Sequence, residues 1–139
     1  MKYMLMLMGA QKHYDAMSGT ASPGTPAWTE DQLQAMFQHM EAINDDLSAA
    51  GELVDARGLS EPSQARLVTA GADGRPVVSD GPYGETKEVL AGYWIVDVET
   101  PERVYEIAAR AYSSPAPECS DPEPPVIVRP IPDGPPDRA

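Results

Sequence analysis

Few side chains in this sequence can take or give a proton near neutral pH. There are two histidines, His13 and His39, and one cysteine, Cys119. An imidazole acts as a base when a partner fixes its tautomer, most simply a hydrogen-bonded carboxylate. His39 is the candidate base. At about 100° per residue, Leu33, Met36, Phe37, Met40, Ile43 and Leu47 form one helical stripe. His39 sits at the border of that stripe, where an imidazole reaches either a cleft or solvent. Asp80 is the candidate partner. It opens the run Asp80-Gly81-Pro82-Tyr83-Gly84, where its carboxylate either orients a histidine or caps its own turn through backbone N–H groups. Asn44 falls inside the stripe, and a buried amide there needs partners in the protein or in a ligand. Consecutive N–H groups around Gly81 form a weak anion cradle. Asn44, Gly81 and Tyr83 are therefore the candidate ligand-binding residues, with His39 and Asp80 the candidate catalytic pair. His13, between Lys12 and Tyr14, reads as a surface residue.

Other chemistries are poorly served. Cys119 lies among prolines and acids with no cation to favour its thiolate. One cysteine and two histidines give no zinc spacing, and the candidate pair calls for no metal or organic cofactor. The formal net charge of −12 argues against direct nucleic-acid binding and against an anionic membrane surface. The apolar run Tyr3 to Met8 is followed by no nearby small-residue cleavage site and falls short of the roughly 20 residues of a membrane span. It is expected to be a buried strand of a cytoplasmic protein.

The elements that must position these groups follow from periodicity and capping. Residues 2–8 alternate Tyr3, Leu5 and Leu7 with Met4, Met6 and Met8, so both faces of the first strand are apolar. Residues 9–27 read as loop. Thr29 and Gln32 form a capping box, and Trp28 with Leu33 a hydrophobic staple, at the start of the first helix. Gly51 ends that helix. Leu53-Val54 begins a short strand. Arg66–Ala70 and Pro76–Ser79 form a hairpin turning at Asp73-Gly74. Residues 92–98 form another two-faced strand. Thr100 and Pro101 start a second helix with Val104, Ile107, Ala108 and Ala111 as its apolar stripe. Residues 113–125 form a proline-rich connection, and Val126–Arg129 a last strand. The sum is an α+β, β-α-β-β-α-β plan with an extra hairpin. One domain is expected over residues 1–131, with 132–139 a flexible proline-rich tail. Two helices cover one face of the sheet, so the second face is expected to meet a second copy in a homodimer.

The run Ser79-Asp80-Gly81-Pro82-Tyr83-Gly84-Glu85-Thr86-Lys87-Glu88 resembles the signature of the YCII-related (DGPF) domain family, with Tyr83 where the signature has Phe. Lys2-Tyr3-Met4-Leu5, Ala50-Gly51-Glu52-Leu53, Arg57-Gly58-Leu59, Gly92-Tyr93 and Val128-Arg129-Pro130 resemble the family as well. The resemblance implies a bacterial protein built as a dimeric α+β barrel on a ferredoxin-like fold. It also implies a histidine on the first helix, which some YCII-like relatives use in a His/Asp pair for lyase or dehalogenating chemistry. Many relatives are encoded beside, or fused to, extracytoplasmic-function sigma factors. Two expectations follow. One is a binder or enzyme acting on a small polar metabolite through His39 and Asp80. The other is a non-enzymatic regulatory protein that partners a sigma factor.

Overall fold

The computed structural model describes residues 1–80, 88–118 and 123–134. In chain order the elements are β1 (Lys2–Gly9), α1 (Gln11–Met17), α2 (Glu30–Ala49), β2 (Leu53–Gly58), a single 3-10 turn (Pro62–Gln64), β3 (Arg66–Ala70), β4 (Pro76–Asp80), β5 (Val89–Asp97), α3 (Pro101–Tyr112) and β6 (Ile127–Ile131). Four strands make one antiparallel sheet in the order β2-β5-β1-β6, and β3 and β4 form a separate two-stranded hairpin. The architecture is α+β, as the alternation of strand and helix signals predicts.

Register follows from the two-residue period of the strands. Tyr3 pairs with Val96 and Leu5 with Trp94, so these four side chains share one face of the sheet. That face carries the core. Leu5, Ile43, Leu47, Val96 and Val104 are fully buried, each contributing about 1.5–3 kcal/mol of transfer free energy. Helix α3 supplies Val104, Ile107, Ala108 and Ala111, all buried, as its spacing predicts. The opposite face holds Met4, Met6, Tyr93 and Ile95, all half-buried.

Capping fixes where the helices begin. Thr29 Oγ1 accepts from the Gln32 N–H at 3.2 Å, while Gln32 Oε1 accepts from the Thr29 N–H at 2.9 Å. Thr100 Oγ1 accepts from the Arg103 N–H at 3.3 Å. Helix α2 stops at Gly51, whose φ of +71° suits a residue without a Cβ. The Arg110 guanidinium meets Asp46 at 2.7 Å, joining α3 to α2.

Three details differ from expectation. Residues 9–27 contain a helix, α1, where the sequence reads as loop. Ala10 at its N-cap has no side-chain acceptor, and the segment shows no apolar repeat. Tertiary contacts of Tyr14 supply what local propensity lacks. Strand β5 begins at Val89 rather than 92, extended by a bulge in which Leu7 faces Gly92 while Met8 faces Leu90. The last strand reaches Ile131, with Pro130 tolerated because β6 lies at the sheet edge.

Candidate functional site

At the end of the sheet where β1 runs into α1, a cavity of about 630 Å³ opens between α2, the sheet and the proline-rich segment after α3. Its walls come from separate parts of the chain. Helix α2 supplies Met36, Phe37, Met40 and Asn44, and β5 supplies Ala91 to Trp94. Helix α1 brings His13, Tyr14 and Met17, with Trp28 just ahead of α2. Ser114 to Pro117 close the side beyond α3. Phe37, placed in the buried stripe by its spacing, is 58 % exposed because it stands at the cavity rim.

The bulge builds one end of the site. With Ala91 as the extra residue, its carbonyl is released from the ladder. That oxygen accepts from the Leu59 N–H at 2.8 Å and from the Tyr14 hydroxyl at 3.2 Å, and Tyr14 also approaches the Leu59 carbonyl at 3.1 Å. Tyr14 thus bolts α1 to the ends of β2 and β5, and burial pushes its phenol above the usual tyrosine range. Gly92 allows close approach of β2 beside it. A Cβ there would stand 3.0 Å from the Arg57 carbonyl.

Two polar groups in the wall have defined roles. Asn44 Oδ1 accepts from the Trp94 indole N–H at 2.6 Å. An indole nitrogen only donates, so the oxygen of the amide is fixed toward Trp94 and its NH2 remains as donor. His13 Nδ1 accepts from the Ala10 N–H at 2.8 Å, which puts the proton of the neutral ring on Nε2. Ser114 Oγ is buried without a hydrogen-bond partner among the described residues. Tyr93, also among the lining residues, has its hydroxyl donating to Asp55 Oδ2 at 3.0 Å. That bond and its carboxylate charge raise the Tyr93 phenol above its ordinary value.

The residues singled out by the sequence fall in three places. Asn44 lies in the cavity wall. His39 does sit at the border of the α2 stripe, and the border faces α3: Nε2 lies 2.7 Å from the Arg110 carbonyl, an acceptor, so Nε2–H donates. Asp80 ends β4, is 95 % exposed at its side chain, and pairs across the hairpin with Arg66 at 3.5 Å. No hydrogen bond or ion pair joins His39 to Asp80 among the described residues, and neither lines the cavity. Gly81 and Tyr83 lie outside the described residues. His13, which reads as a surface residue, is half-buried and lines the cavity. Nothing in the spacing around it marks a helix, so no sequence signal placed it there.

Among the described residues no group of three or more His, Cys, Asp or Glu is placed to hold a metal ion. No helix among them is long and apolar enough to cross a membrane. The arrangement is suited to holding a small molecule: aromatic and thioether walls with a few fixed polar groups.

Comparison with known proteins agrees with the signature in the sequence. The profile of the YCII-related domain matches residues 1–113. An uncharacterized protein of Rhizobium meliloti (strain 1021) is 28 % identical over 84 residues, covering 60 % of this chain and 67 % of that protein.

Proposed function

The chain belongs to the YCII-related domain family, and from that premise we propose that it is a homodimeric protein that binds a small molecule in the cavity beside α2. The observation that carries the binding reading is the wall itself. Asn44 is held by Trp94 with its amide donor left over, inside a mostly apolar cavity of about 630 Å³, within the usual range of about 300–1,000 Å³ for ligand pockets.

The ferredoxin-like plan is supported by strand order. Two strand-helix-strand units, β1-α2-β2 and β5-α3-β6, interleave as β2-β5-β1-β6, with the hairpin inserted between them. The dimer is supported by the sheet face away from the helices. Met4, Met6, Tyr93 and Ile95 lie side by side there, Ile127 is 40 % exposed, and among the described residues none of them joins the core cluster packed by α2 and α3. A second copy of the same sheet would bury this surface in a closed, two-fold barrel. The domain then ends with β6 at Ile131, which pairs with Lys2.

Two measurements test this reading. Light scattering at micromolar concentration is expected to give twice the chain mass, and a monomer mass would remove the dimer. A thermal-shift screen of small metabolites is expected to raise the melting temperature with at least one compound. A broad library without a single hit would remove the binding function and favour a role in protein interaction.

A further inference from the structure

We infer that the cavity takes a neutral aromatic compound bearing a hydrogen-bond acceptor, such as a ketone oxygen. This rests on the proposed binding function and specifies the ligand's chemistry.

The walls select for aromatic character. Trp28, Phe37 and Trp94 present rings, and Met36 and Met40 present thioethers. Rings prefer offset or edge-on aromatic neighbours, and sulfur packs well at ring edges. A sugar or a phosphorylated metabolite would lose its hydration against these walls with little in return. The charges in the wall disfavour an ion of either sign. Glu123, the acid among the lining residues, is raised by burial above its ordinary value, so it offers a cation a poorly ionised partner. Arg57 is the lysine- or arginine-type cation among the lining residues. Its guanidinium stands 3.6 Å from Asp55 and its side chain is 70 % exposed. An anion entering the cavity would face a chain of net charge −12 without a dedicated counterion. The acceptor follows from Asn44. Because the Trp94 N–H holds Oδ1, the part of the amide left for a ligand is its NH2, which pairs with an acceptor.

The two tryptophans of the chain both line the cavity, so their fluorescence reports its occupancy. Three probes are titrated into the full chain: 2-acetonaphthone, naphthalene and 2-naphthoate. The ketone is expected to change the emission and to bind about tenfold more tightly than either of the others, the value of roughly one hydrogen bond. Asn44→Asp keeps an oxygen for Trp94 and removes the amide donor, so the advantage of the ketone over naphthalene should vanish. Met40→Trp fills the cavity and should abolish binding of all three. If none of the probes binds the wild-type chain, the cavity reading itself falls. If 2-naphthoate binds as tightly as the ketone or more so, the cavity reading survives and the ligand class is overturned. Unchanged binding to a folded Met40→Trp variant places the probes elsewhere and overturns the inference. Should Asn44→Asp fail to fold, the wild-type preference for ketone over naphthalene decides the role of the amide.

Discussion

The indole N–H of Trp94 donates to the side-chain oxygen of Asn44 at 2.6 Å, tying the middle of α2 to β5 where both form the cavity wall. Trp94 is 4 % exposed, so its N–H has no easy recourse to water. Asn44→Ala orphans a buried donor. It is expected to cost about 1–3 kcal/mol, read as a lower urea midpoint with an unchanged slope. An unshifted midpoint would mean that the bond contributes nothing.

The capping box at Thr29 gives a second expectation. Thr29→Ala removes the acceptor for the Gln32 N–H and should lower stability by about 1 kcal/mol. Since Trp28 lines the cavity immediately before this cap, probe affinity should weaken along with stability. Equilibrium unfolding and fluorescence titration measure the two effects separately.

Glu52 gives a pH dependence. Its carboxylate accepts from Arg103 Nη2 at 2.8 Å and Nε at 2.9 Å. The hydrogen-bonded guanidinium holds it below its ordinary value of 4.5, against an opposing effect of desolvation. The folded state therefore binds this proton less readily than the unfolded state does. Its contribution is present above pH 4.5 and is lost as pH falls through the lowered folded value. Glu52→Gln should be less stable than wild type at neutral pH, with the gap narrowing as the solution is acidified. A gap that stays constant in urea titrations across this range would contradict the assignment.

His39 and Asp80 have different partners, Arg110 and Arg66. A double-mutant cycle with His39→Gln and Asp80→Asn should therefore be additive to within about 0.5 kcal/mol, as for residues that share no partner. A larger coupling energy in urea unfolding would show that the two residues interact after all.

Much of the fold is legible in the sequence because capping and periodicity are local. Thr29, Gln32, Gly51, Thr100 and the α3 stripe all act where their patterns place them. The two apolar faces of β1 and β5 are equally plain from alternation. The candidate site was harder to read, for physical reasons. Helix α1 depends on Tyr14 reaching carbonyls 45 and 77 residues away, which no window of sequence contains. The spacing of α2 sets His39 at the edge of its stripe, and its ring meets the Arg110 carbonyl of α3. Periodicity gives an angle around the helix and does not say that α3 lies on that side. Asn44 was legible as a buried amide in need of a partner, while its partner Trp94 lies 50 residues further on.

The most direct test of the central claim uses the methionines as reporters on both faces of the sheet. Met17, Met36 and Met40 line the cavity, whereas Met4 and Met6 lie on the opposite face of β1. In a protein labelled at the methionine ε-methyl groups, 2-acetonaphthone is expected to shift the signals of Met17, Met36 and Met40 and to leave those of Met4 and Met6 in place. Shifts confined to Met4 and Met6, or no shifts at saturating probe, would contradict the cavity as the ligand site.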